Sequence, residues 1–328
     1  MQFRTEINPD KSPVLMEHDH NILSMGSCFA TNIAQYMKKS RFKILENPFG
    51  VLYNPASIYS GVKLLIENKR FKPSDLIFHD DEWHSFFHHS DFSHHKAETC
   101  IENINRELNS AADFLKTANW LILTFGTAYV FRHTQSGLIV SNCHKIPSQE
   151  FDHFRLRADQ VYDYLQKTLQ MLARINPMIK VIMTVSPVRH LKDGPVQNQL
   201  SKSTLLLAVD KTVNENENCF YFPSFEIMMD DLRDYRFYDS DLVHPNRAAT
   251  DYIWDKFRET WLTHNAGTAV AKLEKLASAR SHRVRNPDSP AHQKFLDKQI
   301  QFISALKNEY PYLELDEELQ YFRNQKNT

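Results

Sequence analysis

The sequence predicts an α/β protein: a central parallel sheet with helices on both faces, three layers in all, followed by a C-terminal helical extension. Three observations carry this. Short apolar runs alternate with longer amphipathic stretches. The runs are continuously apolar, as in strands buried on both faces. From about residue 262 the strand signals stop, and Ala-, Lys- and Gln-rich helical patterns take over. A chain of 328 residues can bury a large core. Residues 1–262 are therefore assigned to the α/β domain and 263–328 to the extension.

In chain order, Asn21–Met25 reads as the first strand and Ala30–Ser40 as the helix after it. Leu45–Tyr53 holds a second short strand or a loop, with Pro48 and Gly50 inside it, and Ser57–Asn68 is helical. Ile101–Thr117 is a helix that leads into the strand Trp120–Phe125. Arg157–Asn176 is a long helix ending before Pro177, and Lys180–Val185 is the next strand, stopped at Ser186-Pro187. Lys202–Asn214 is helical, Cys219–Phe222 is a strand closed by Pro223, and Pro245–Thr260 is a helix with proline in its first turn. Ala266–Arg280 and Ala291–Tyr310 are the helices of the extension, separated by a basic loop containing Arg285-Asn286-Pro287-Asp288. They are expected to pack on the core or to pair two copies as a homodimer.

The balance of 39 basic and 40 acidic residues leaves no basic excess for a nucleic-acid surface. The longest strongly apolar stretch, about Trp120–Phe131, is too short to span a bilayer and is interrupted by Gly126. The N-terminus, Met1-Gln2-Phe3-Arg4-Thr5-Glu6, lacks the apolar segment of a secretory signal, so a cytoplasmic protein is expected. Cys28, Cys100, Cys143 and Cys219 lie far apart with no C-x-x-C spacing, which argues against zinc or a disulfide framework. No metal and no cofactor are expected.

Two segments carry chemistry. Asp241-Leu242-Val243-His244-Pro245 puts a carboxylate three residues before an imidazole that it could orient. Gly26-Ser27-Cys28 lies between a strand and a helix, where backbone N–H groups stabilise an oxyanion and the helix dipole favours a thiolate. Ser27 and Cys28 are both nucleophile candidates; alternatively, Ser27 merely caps the helix. Both segments fall at strand ends, where open α/β sheets bind ligands. Arg189, His190, Asn198 and Lys202 also follow a strand end and could take a substrate anion. The stretch Trp83–His95 packs five histidines and four aromatics together. It reads as a long loop over the site that could line a sugar- or acyl-binding cleft, with His88 as its substrate-binding candidate. Asp230–Arg236 reads as a locally paired charged segment.

The pentapeptide Gly26-Ser27-Cys28-Phe29-Ala30 resembles the signature of the GSCFA family, within the SGNH/GDSL-hydrolase-like superfamily. The resemblance extends to Asn47-Pro48-Phe49-Gly50, Thr124–Ala128, Asn142-Cys143-His144-Lys145, Thr184–His190, Gln197–Lys202 and Arg233–Tyr238, and spans about residues 20–260. It implies a flavodoxin-like three-layer hydrolase fold acting on acyl esters. The nucleophile would follow strand one and the acid and base would lie in a final D-x-x-H block, here Asp241 and His244. Aligned on Gly26, the superfamily's serine falls on Cys28, and a one-residue shift of the turn would present Ser27 instead. Gly50 is the implied glycine of the oxyanion hole. The superfamily's asparagine is missing at Gly126-Thr127-Ala128-Tyr129, leaving Thr127 or Asn142 as replacements. His144 joins the substrate-binding candidates on the same resemblance. The implied substrate is a small-molecule or carbohydrate acyl ester. The alternatives are an O-acyltransferase acting on a carbohydrate, or a binding protein that keeps the fold.

Overall fold

The computed structural model describes residues 4–282 and 287–326. β1 (Asn21–Gly26) feeds α1 (Cys28–Lys39), followed by β2 (Lys43–Glu46) and α2 (Pro55–Ile66). A hairpin of β3 (Ile77–His79) and β4 (Glu82–His84) precedes α3 (Ala97–Thr117) and β5 (Trp120–Phe125). Next come β6 (Tyr129–His133), β7 (Ile139–Val140) and β8 (Phe151–Arg155), then α4 (Ala158–Ile175), β9 (Lys180–Val185) and α5 (Pro195–Asn214). β10 (Cys219–Tyr221) is followed by the short α6 (Ser224–Glu226) and by α7 (Arg247–Trp261). The extension holds α8 (His264–Ser281), α9 (Pro290–Glu309) and α10 (Asp316–Lys326).

The main sheet has five parallel strands in the order β10-β9-β5-β1-β2. Counted along the chain, that is the flavodoxin-like order 2-1-3-4-5, and it reverses between β1 and β5. Side-chain alternation explains why these apolar runs form strands. Leu121, Leu123 and Phe125 of β5 enter one core with Val62 of α2, Ile104 of α3, Leu165 of α4 and Leu205 of α5. Trp120 and Ile122 enter the other, with Ile33 of α1 and Ile253 and Phe257 of α7. A period of two in a fully apolar run fills both faces, which makes the protein a three-layer sandwich.

The extension has an apolar cluster of its own, with Leu273, Leu296, Ile303, Leu306 and Phe322 at its centre. It is also tied to the sheet domain, because Ala266 and Val270 of α8 pack into the α1/α7 core. Glu318, almost buried, takes Arg41 from the end of α1 and Arg280 from the end of α8. Among the described residues no helix is long and apolar enough to cross a membrane.

Several boundaries differ from the sequence reading. α5 begins at Pro195 rather than Lys202, because Gly194 (φ 88°) turns the chain and Pro195 takes the first helical position, where its missing N–H costs nothing. Asn198 therefore stands on the helix rather than ahead of it, and Lys202 lies inside the helix rather than at its start. α7 begins after Asn246, whose side chain accepts the Ala249 N–H (3.1 Å), so Pro245 precedes the helix instead of sitting in its first turn. The second strand ends at Glu46, ahead of the Pro48–Gly50 turn. The antiparallel β7-β6-β8 sheet, the β3-β4 hairpin and α10 had no counterpart in the sequence reading. Arg285 and Asn286 of the expected basic loop lie outside the described residues.

Candidate active site

The turn after β1 is held on three sides. Gly26 has φ 147°, and a Cβ there would stand 2.2 Å from the Thr124 carbonyl oxygen, so only glycine fits against β5. Its N–H donates to Asn47 Oδ1 (2.9 Å), and its carbonyl accepts the Leu52 N–H (2.9 Å). The Ser27 N–H donates to the Thr124 carbonyl (3.0 Å). Ser27 occupies the N-cap position of α1, but its hydroxyl makes no capping bond, has no solvent exposure and finds no hydrogen-bond partner among the described residues. Cys28, the first helical residue, is partly exposed.

The Asp241–His244 pair forms as the spacing predicts. Asp241 Oδ2 and His244 Nδ1 are 2.6 Å apart, while Oδ1 accepts the N–H groups of Val243 (2.9 Å) and His244 (3.0 Å). Those donors, the His244 N–H foremost, hold the Asp241 carboxyl down to about 2. An ionised carboxylate can only accept, so it fixes Nδ1 as the donor of this bond. His244 is half-exposed, and its Nε2 carries no hydrogen bond among the described residues.

Both segments lie at the carboxyl end of the sheet, the Cys28 turn where the strand order reverses and the Asp241 loop near enough for its charge to act on the Cys28 thiol. Burial pushes the Cys28 thiol up; the N–H groups of Phe29 and Cys28 and the nearby charge of Lys202 pull it down, and Asp241 pushes it up again. No hydrogen bond joins Cys28 Sγ to His244 among the described residues. Catalytic contacts of this kind are often loose before substrate arrives. Beneath them Lys202, fully buried on α5, donates to the carbonyls of Gly126 and Ser186, both at 2.7 Å, and so ties the ends of β5 and β9 together. Its ammonium is pushed down to about 7 by burial. His190 is pushed down to about 3, by burial first and then by Lys202 and His244, so its imidazole is neutral. Its Nε2 lies against Gly126, and its ring meets Tyr53 edge-on at 5.3 Å.

A raised thiol sets the direction of a pH dependence. Thiolate appears only as pH rises, so alkylation of Cys28 by iodoacetamide should accelerate with pH and reach its midpoint above the ordinary cysteine value of about 8.5. Mass spectrometry of the Cys28 peptide across a pH series measures this. A midpoint below that value would show that the helix terminus and Lys202 outweigh burial.

The GSCFA family model matches residues 21–257, and the model for the C-terminal domain of GSCFA domain proteins matches residues 273–328. The chain belongs to the GSCFA family. No curated protein matches it. The turn described above is thus the family's own pentapeptide, Gly26–Ala30, seated at the switch point of the sheet.

Within this GSCFA fold several sequence candidates change role. The Gly50 N–H donates to the Asn47 carbonyl (2.7 Å), which removes it as an oxyanion donor. Gly50 instead permits a positive φ of 73° beside His89, whose Cβ is 2.2 Å from where a Gly50 Cβ would stand. The Thr127 hydroxyl is hydrogen-bonded to Ser201 (2.9 Å) and its N–H to the Tyr53 carbonyl (3.0 Å), so neither is free. Asn142 accepts the His144 N–H (2.9 Å) and holds a turn beside the β6–β8 sheet, with no hydrogen bond to the Cys28 turn among the described residues. His88 and His144 are both buried, and burial pushes them down to about 3 and about 4. His88 bonds Ser85 and packs on Phe49 and Phe71; His144 bonds the Ser85 carbonyl and stacks on His84. Both are packing histidines rather than substrate contacts. His84, Phe86 and His88 of the histidine-rich loop turn inward, whereas His89 lies beside Gly50 and His94 and His95 keep exposed surface.

The sequence reading missed two supports. The Asn47 side chain bridges Gly26 N and Thr31 Oγ1 (3.0 Å) and so clamps the end of β1 to α1. Tyr53 covers Gly126 and His190. Asn47 belonged to a quoted motif, so its presence was visible there and its task was not. Asp230 and Asp234 pair with Arg233 and Arg236, as expected for that charged segment.

Proposed function

We propose that the protein is an SGNH/GDSL-type enzyme that cleaves acyl esters, with Cys28 as nucleophile, His244 as general base and acid, and Asp241 as the residue that orients the imidazole. The observation that carries this reading is the 2.6 Å Asp241–His244 bond, with Nε2 unpartnered among the described residues, at the same end of the sheet as a partly exposed cysteine on a helix N-terminus. Cys28 is preferred over Ser27 because Ser27 has no solvent exposure.

Burial keeps the thiol protonated at neutral pH, so the mechanism needs a base. His244 Nε2 takes the proton as Sγ attacks the acyl carbonyl. The N–H groups at the start of α1 stabilise the oxyanion, aided by the helix dipole. The imidazolium then protonates the departing alkoxide, leaving a thioester on Cys28. Water, deprotonated by His244, attacks the thioester and releases the carboxylic acid and the free thiol. A second reading, a binding protein that keeps the fold, gains support from the occupied Gly50 N–H and from Thr127 in place of an oxyanion asparagine.

Brief exposure to an activated acyl ester should leave an acyl group on the Cys28 peptide, detectable by mass. Cys28→Ala should abolish the adduct and Ser27→Ala should leave it on Cys28. A well-folded protein that never acquires the adduct would support the binding reading.

A further inference from the structure

Arg189 follows β9, and its backbone N–H donates to the Val243 carbonyl at 3.3 Å, which places it beside the residue before His244. Its side chain is half-buried, and its Nε is shut off from solvent without a hydrogen-bond partner among the described residues. No carboxylate pairs with it among the described residues, whereas Arg132, Arg157 and Arg233 each close on an aspartate. Asn198, only 2% exposed, uses Oδ1 to accept the His190 N–H (2.8 Å) and leaves Nδ2 with no acceptor. One helical turn on, Lys202 brings a second cation whose charge and that of Arg189 oppose each other. The acid of this crevice, Asp241, is already engaged by His244.

A half-buried guanidinium whose Nε is cut off from water, with no carboxylate paired to it among the described residues, is a costly arrangement. A guanidinium in that state matches the oxygens of a carboxylate or phosphate, and Asn198, anchored on the N–H of the next residue, His190, adds a spare amide donor. We propose that Arg189 and Asn198 bind an anionic group, carboxylate or phosphate, that the substrate carries close to its scissile ester. This rests on the esterase reading for what the site does, but not for the existence of the anion site. Lys202 has no exposed surface and contributes through its field rather than by contact. The substrate class is then an acyl ester with an acidic substituent, not a neutral alkyl ester, which would leave Arg189 unpaired.

The test reads the Cys28 thiol and needs no turnover. Alkylation of Cys28 by iodoacetamide is followed at constant ionic strength with succinate, with inorganic phosphate, or with the neutral analogue succinamide. At saturating anion, succinate or phosphate should slow alkylation several-fold, by occupying the site and by disfavouring the thiolate, and succinamide should not. The stronger of the two protectants identifies the carboxylate or the phosphate as the group recognised. Arg189→Met should remove the protection. Arg189→Lys, which keeps the charge but not the planar fork, should retain part of it and serves if the methionine variant does not fold. Absence of protection by both anions, equal protection by succinamide, or protection that persists in folded Arg189→Met overturns the proposal. Protection without any ester cleavage would keep the anion site and remove the esterase reading.

Discussion

His244→Ala should lower kcat/KM for an activated acyl ester by roughly a thousandfold while leaving the unfolding midpoint almost unchanged. The size follows from the state of the nucleophile. Burial raises the Cys28 thiol, so little thiolate exists at neutral pH and the reaction depends on a partner that removes the proton. The imidazole is half-exposed and its single side-chain bond is to Asp241, so truncating it opens no cavity and orphans no buried group. Asp241→Asn should also lower kcat/KM, but by a mixed route. Oδ1 fastens the Val243 and His244 N–H groups around Leu242, which sits at φ 58°, so the substitution disturbs the loop as well as the imidazole tautomer. Steady-state kinetics with urea unfolding of both variants separates the two effects. Wild-type turnover in folded His244→Ala would rule out His244 as the base.

The layers of the fold were legible because each buried strand has to satisfy two faces at once. Trp120–Phe125 and Lys180–Val185 are read correctly from apolar continuity alone, and both occupy the centre of the sheet. The antiparallel β6–β8 strands were not legible, because Phe131-Arg132-His133 and Phe151-Asp152-His153 expose about half their side chains and carry no continuous run. The start of α5 was missed for a related reason: Pro195 reads as a breaker until the positive φ of Gly194 places it at the first helical position. At the site, spacing sufficed for Asp241 and His244, since three residues on a tight loop bring the two side chains together with little tertiary help. Gly50 shows the opposite. Its glycine signal was real, but the cause is a positive φ against His89, a contact between distant segments that sequence spacing does not encode. His88 follows from composition and His144 from the resemblance, and neither source says which way an imidazole faces; both are buried. Lys202 was visible as a polar residue after a strand end, yet its bonds to Gly126 and Ser186 depend on the longer helix.

Gly26→Ala is expected to be the most damaging single-methyl change in the domain, with a loss of roughly 3–5 kcal/mol of stability. The added Cβ would stand 2.2, 2.8 and 2.9 Å from the oxygen, nitrogen and carbonyl carbon of Thr124, and φ is 147°. These are backbone atoms of a central strand, paired with β1 on one side and β9 on the other, so no side chain can swing away to make room. Relief requires opening the β1–β5 ladder at Gly26 and Thr124, which also loosens the Ser27 N–H from the Thr124 carbonyl and the Leu52 N–H from Gly26. The first turn of α1 would then move, and Cys28 with it. Gly267 is the matched control: it lies inside α8, has nothing within 4 Å of its added Cβ, and Gly267→Ala should instead stabilise by about 0.5–1 kcal/mol. Urea unfolding of the two variants, with Cys28 alkylation as a local readout, checks both signs. If Gly26→Ala unfolds at the wild-type midpoint, the close approach of β1 to β5 cannot be what holds the nucleophile turn in place.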